Sequence, residues 1–79
     1  MRIKTLIGLR IRELRLSKRL TQNGLSSNLS IPQSTIACWE LGIHIPPLRN
    51  LVLLADFFDV SLDSLIGRAY NSESATIGR

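Results

Sequence analysis

The sequence predicts an all-α domain of five short helices, and three observations carry that prediction. Apolar residues recur at three- and four-residue spacing, as in Ile3, Ile7, Ile11 and Leu14 and again in Leu48, Leu51, Ala55 and Phe58. No segment of strand length alternates apolar with polar residues. Residues that start or stop helices, among them Thr21, Pro32, Gly42, Pro46, Pro47, Ser61 and Gly67, divide the chain at short intervals.

The first helix is expected from about Thr5 to Lys18, with Arg and Lys between its apolar positions. Thr21 stands where an N-cap belongs, and Leu25 and Leu29 give a short second helix one face to bury. Ser30, Ile31 and Pro32 interrupt it. Pro32 lacks an N–H and holds φ near −65°, which suits the first turn of a third helix reaching Leu41. Gly42 is its left-handed terminator, and the two prolines before Leu48 enforce a loop. A fourth helix should run from Leu48 to Phe58, and Ser61 should cap a short fifth carrying Leu62, Leu65 and Ile66. The chain is thus expected to divide into a folded domain over 1–67 and a flexible tail over 68–79, where the periodicity stops.

Composition excludes several classes. With 44% hydrophobic and 20% charged residues, the 79-residue chain reads as a folded domain. A single core of this size supplies only ~3–5 kcal/mol net, so small chains lean on disulfides, metals or self-association. Cys38 has no second cysteine to pair with, and Cys38 with His44 falls short of the four ligands of a structural zinc. Self-association remains. No apolar run reaches the ~18–20 residues needed to cross a bilayer, and no secretory leader pattern is present, so the expected location is cytoplasmic, with no membrane partner.

Charge is distributed unevenly. Residues 1–19 carry seven basic side chains against Glu13, a net +6, whereas residues 50–79 set Arg68 and Arg79 against four acidic side chains. A basic end of this kind suits a polyanion.

Two short helices joined by a tight turn after a longer basic helix outline a helix-turn-helix. The residues sharpen the outline: Thr21-Gln22, Leu25, the run Ile31-Pro32-Gln33-Ser34-Thr35-Ile36, Trp39-Glu40, Gly42, Pro46, Leu51, Leu54-Ala55, Val60-Ser61-Leu62-Asp63 and Leu65-Ile66-Gly67. Over about residues 7–67 the chain resembles the Cro/repressor-type, or Xre, family of helix-turn-helix regulators. The resemblance implies a five-helix, lambda-repressor-like DNA-binding domain, and a transcriptional repressor that acts as a homodimer on a palindromic double-stranded DNA operator. It calls for no cofactor, metal or small-molecule ligand. Departures from the family pattern are Gly24 and Ser26, where helix formers are usual, and Ser30, where the turn is usually glycine. Helix two is therefore expected to be the least stable element.

Helical geometry divides the third helix. Ile36, Trp39 and Glu40 share one side, while Gln33, Ser34, Ala37, Cys38 and Leu41 share the other, a small and mostly polar surface that a core would not choose. Residues near the N-terminus of a recognition helix meet base edges. Gln33 can bond adenine bidentately, Ser34 can serve several bases, and Ala37 can meet a thymine methyl. The resemblance places base contacts at Gln33, Ser34 and Cys38. It also puts Gln22, whose position at a helix N-terminus favours phosphate, on the DNA backbone, so that its loss should weaken all sequences alike. Thr35 is a further backbone candidate, and the basic residues Arg10, Arg19, Arg12 and Arg49 are phosphate candidates among which the sequence sets no order. The resemblance pairs Arg15 with Glu40 in a salt bridge between helices one and three. It also places dimerisation near the last helices, where Phe57, Leu62 and Ile66 are candidates once Leu51, Ala55, Phe58 and Leu65 go to the core.

Three rivals stand beside this reading. An enzyme has little to work with: one His, no paired carboxylates in a cleft pattern and no phosphate-cradling glycine loop, which leaves only Cys38 and His44 as a nucleophile and base. Membrane-surface binding by the basic first helix competes with that helix's need to bury its stripe. A protein-interaction module on the same fold, such as an antitoxin or anti-repressor partner, draws on Leu41, Ile43 and Ile45, an apolar stretch where the family more often has polar or basic residues.

Overall fold

The computed structural model describes residues 3–67; the expected tail over 68–79 lies outside the described residues. Within them the chain forms α1 (Ile3–Ser17), α2 (Gln22–Leu29), α3 (Gln33–Glu40), α4 (Leu48–Phe58) and a last single turn, α5 (Asp63–Gly67). No strand occurs among the described residues. One core holds Ile7, Ile11, Leu14, Leu25, Leu29, Ile31, Ile36, Trp39, Leu51, Leu54, Ala55, Phe58 and Leu65.

Helix α1 starts two residues earlier than its sequence suggests, because Ile3 extends the apolar stripe and packs against the core. Helix α3 is one residue shorter than expected at each end. Pro32 sits at the N-cap with φ −55° and ψ 140°. Its carbonyl accepts from the N–H groups of Thr35 at 3.0 Å and Ile36 at 3.2 Å. Pro47 does the same for α4, receiving Asn50 at 2.9 Å and Leu51 at 3.0 Å. Leu48, expected in the buried stripe of α4, is instead 66% exposed. It is the first helical residue and projects beyond the core, and the fully buried Leu54 takes the place in the stripe. Ser61 caps α5 as expected, its Oγ accepting from the Ser64 N–H at 2.8 Å, but the turn is wound as a π-helix and not an α-helix.

Each of the first four helices ends on a residue in the left-handed region: Arg19 (φ 58°), Ser30 (φ 56°), Gly42 (φ 76°) and Asp59 (φ 55°). After α3 the Gly42 N–H donates to the Trp39 carbonyl at 3.0 Å and the Ile43 N–H to the Cys38 carbonyl at 2.9 Å, the paired bonds of a Schellman motif. After α1 the same pair is made by Arg19 to Leu16 and Leu20 to Arg15. Only one of the four sites uses glycine, so the other three accept the cost of a Cβ there.

The turn between α2 and α3 shows how the departures in helix two are offset. Thr21 Oγ1 accepts from the Gly24 N–H at 2.9 Å, and Asn28 Nδ2 donates to the Gly24 carbonyl at 2.8 Å. Ser26 clasps the turn from both sides: its Oγ donates to the Ile31 carbonyl and its own carbonyl accepts from the Ile31 N–H at 3.2 Å. Ile31 is thereby pinned with its side chain in the core.

Candidate nucleic-acid interface

Helix α3 is held by α1, its main packing partner. The contact face of α1 carries Gly8 and Arg15, seven residues apart and so about 20° apart around the helix. Gly8 is where the two backbones meet. A Cβ there would fall inside the Trp39 carbonyl oxygen and at 2.9 Å from that of Glu40. The sequence reading passed over Gly8, although a lone glycine inside an apolar-striped helix is itself a sign of close backbone approach.

About two turns further along, Arg15 meets Glu40 as the resemblance implied. Arg15 Nε donates to Glu40 Oε2 at 2.6 Å and Nη2 to Oε1 at 3.0 Å, a bidentate pair whose side chains are 9% and 4% exposed. The third guanidinium nitrogen, Nη1, donates to the Leu20 carbonyl at 2.7 Å, so the cation also secures the chain entering α2. The hydrogen bonding that Arg15 donates to Glu40 raises the Arg15 pKa from its ordinary value, against the opposing effect of burial.

Glu40 reaches further. Gln22 Nε2 donates to its Oε1 at 3.1 Å, and Gln33 Nε2 donates to Gln22 Oε1 at 2.6 Å. A line of side chains therefore runs from the buried pair to the exposed start of α3. Gln22 was expected to present its amide to a phosphate; here that amide is held between Glu40 and Gln33.

The outward face of α3 comprises Gln33 and Ser34, both exposed, and Ala37 and Cys38, both half-buried, while Ile36 and Trp39 point into the core. Thr35 is half-buried beside them. Arg19 is exposed at the end of α1, and Arg12, about 40° around that helix from Gly8, is exposed on the side nearer α3. Arg10 is not brought to this surface. It lies about 200° from Gly8, where Nη1 pairs with Glu13 Oε1 at 3.0 Å and Nη2 donates to Ser64 Oγ at 3.4 Å, tying α1 to α5. Arg49 is exposed in the first turn of α4.

The three dimer candidates are half-buried against the core. Phe57 packs edge-on against Phe58 with centroids 5.1 Å apart, and the Lys18 ammonium sits 5.9 Å from its ring centroid. More exposed apolar side chains lie elsewhere: Leu41, Ile43 and Ile45 after α3, and Leu48, Val52 and Leu53 on α4. Among the described residues, no helix is long and apolar enough to cross a membrane.

Two helices joined by a turn pinned on Ile31, with the second held against α1 by a buried ion pair, define a helix-turn-helix of the Xre type in a lambda-repressor-like all-α fold. The chain belongs to this family: the model of the Helix-turn-helix family matches residues 11–65. It is similar to the HTH-type transcriptional regulator AnsR of Bacillus subtilis (strain 168), 38% identical over 66 residues, which are 84% of this chain and 57% of that protein. It is also similar to the uncharacterized HTH-type transcriptional regulator YobD of the same organism, 38% identical over 73% of this chain and 52% of that one. The HTH-type transcriptional activator BcrR of Enterococcus faecalis is 33% identical over 72% of this chain but only 28% of its own length. The chain thus matches about half the length of the first two relatives and less of the third. No solved structure matches it.

Proposed function

We propose that this protein is a sequence-specific DNA-binding transcriptional regulator that lays α3 in the major groove. The observation that carries the reading is the outward face of α3: Gln33, Ser34, Ala37 and Cys38 form a small polar surface on a helix whose other side is locked to α1. Gln33 and Ser34, at the helix start, meet base edges; Ala37 and Cys38 offer small contacts one turn on. Thr35 and Arg19 would contact phosphates in this reading, as would the backbone N–H groups at the start of α2. Arg10 is the weakest member of the backbone set, since its guanidinium is engaged with Glu13 and Ser64.

One such helix spans few base pairs, so specificity calls for two. A homodimer formed through Phe57, Leu62 and Ile66 would place two copies of α3 on the half-sites of a palindrome about 34 Å apart. Leu53, one helical turn before Phe57 and 40% exposed, extends that candidate surface, a contribution the sequence reading did not single out. Repression by occupancy of the operator is the mode implied by the family resemblance; the name of one relative specifies activation, and a reporter placed behind the selected site reads the sign directly.

Selection of bound sites from a random double-stranded DNA pool tests the whole reading. A two-fold symmetric site bound by two chains in analytical ultracentrifugation is the expected result. A single chain on a symmetric site at saturation removes the dimer and leaves the base reading intact. A second reading, a protein-interaction module on this fold, is favoured by the exposure of Leu41 (73%), Ile43 (50%) and Ile45 (46%). A pool from which no site is enriched would favour it.

A further inference from the structure

Helix α4 is apolar on more than its core side. Leu51, Leu54, Ala55 and Phe58 face the core, yet Val52 and Leu53 on the outer side are 42% and 40% exposed, and Leu48 at its start is 66% exposed. Apolar residues on every side mark a helix that is covered on every side. Two exposed charges interrupt the outer face: Arg49 in the first turn and Asp56 in the last. Among the described residues neither side chain forms an ion pair. Each also stands at the wrong end for the helix dipole, which favours anions at the N-terminus and cations at the C-terminus. Their arrangement is symmetric. Arg49 comes three residues before Val52, and Asp56 three residues after Leu53. Seven residues separate the two charges, which puts them about 20° apart around the helix and ~10 Å apart along it.

We infer that this face pairs with the same face of a second copy, the two α4 helices running antiparallel about a two-fold axis level with the Val52–Leu53 peptide. The pairing rests on the homodimer proposed above but centres it on α4, retaining Leu53 and Phe57 from that surface. A two-fold contact must be complementary to itself, because both copies offer the same patch. Reversing one helix sets Arg49 against Asp56 of the second copy, and Asp56 against Arg49 of the second copy. At the axis Val52 meets Val52 and Leu53 meets Leu53, an apolar centre for two helices packed about 8–10 Å apart. A parallel pair would instead oppose Arg49 to Arg49 and Asp56 to Asp56. Nucleic acid is a poor occupant, since it would meet Asp56 as a like charge and leave Val52 and Leu53 without an apolar partner. Charges that work against their own helix are thus matched by those of the second copy.

Sedimentation equilibrium tests the pairing, and is run without DNA because Arg49 is also a phosphate candidate. The unaltered protein is compared with Arg49→Asp, with Asp56→Arg and with an equimolar mixture of the two variants. Both substitutions are exposed and suit the helix dipole, so each chain should fold, which circular dichroism checks. The unaltered protein should dimerise. Either variant alone opposes like charges at both ends of the contact, and its dimer should be weaker by about tenfold or more. In the mixture the two acidic side chains of one chain face the two basic side chains of the other, so dimers containing one of each should return, as counted by native mass spectrometry. Misfolding would not be repaired by mixing. Variants that dimerise as tightly as the unaltered protein, or a mixture that recovers nothing, overturn the pairing and leave Leu62 and Ile66 as the seat of the homodimer. An unaltered protein still monomeric at about 1 mM also overturns it. In that case two chains on a symmetric DNA site would keep the homodimer of the proposed function, and one chain there would remove it as well.

Discussion

Arg15 and Glu40, twenty-five residues apart, meet in a bidentate ion pair with Nε 2.6 Å from Oε2, nearly sealed from solvent. The pair joins α1 to the end of α3 and, through Leu20 and Gln22, to both ends of the segment leading into α2. Its geometric role differs from its energetic one. Desolvating two charges consumes much of their attraction, so a buried pair orients more than it stabilises, whereas a half pair is costly.

Glu40→Ala or Arg15→Ala should therefore cost about 3–5 kcal/mol, read as a lowered urea midpoint at unchanged slope. The double substitution Arg15→Met with Glu40→Leu should recover most of that loss. A double variant as unstable as either single one would mean the ion pair is itself the main source of stability.

Gly8→Ala should cost about 1–3 kcal/mol or more, because the new methyl group meets the carbonyl oxygens of Trp39 and Glu40, which are backbone and cannot rotate away. Differential scanning calorimetry would show a melting temperature lower by about 4–8 °C per kcal/mol. An unchanged melting temperature would show that α1 and α3 have room to separate.

Ser30→Gly should stabilise the protein by about 1 kcal/mol, since φ 56° carries a Cβ penalty that glycine escapes. Gly42→Ala should do the reverse. The new Cβ would combine φ 76° with a contact 3.0 Å from Thr5 Oγ1. Chemical denaturation of the two variants side by side checks both signs.

Removing the hydroxyl in Ser26→Ala leaves the Ile31 carbonyl short of a donor and should cost about 1 kcal/mol. Amide hydrogen exchange should show faster opening confined to the turn between α2 and α3. Loss of protection spread evenly over α1 and α4 would mean that the clasp is not local.

DNA affinity should fall with salt at a slope of about −0.9 per phosphate neutralised, and a flat dependence would count against the basic surface. Gln33→Ala should lower the preference at one base pair per half-site by about 1–3 kcal/mol and leave binding to random DNA nearly intact. Equal weakening on both DNAs would show that α3 does not read a base there.

The sequence by itself determined the five helices, most of the core and the outward face of α3, because each depends on near neighbours in the chain. A 3.6-residue period separates Ile36 and Trp39 from Gln33 and Ser34 without knowledge of any other helix. Thr21, Gly42 and Ser61 act within three or four residues of themselves, so their caps were legible too. Arg15 with Glu40 was legible only through the family resemblance, since nothing local links an arginine on one helix to a glutamate on another. Tertiary structure alone decided that Gly8 is the point of backbone contact, that Arg10 turns away toward Ser64, that Leu54 and not Leu48 is buried, and that Gln22 stands between Glu40 and Gln33. Each of these depends on the distance and angle between two helices, which periodicity along one helix does not encode.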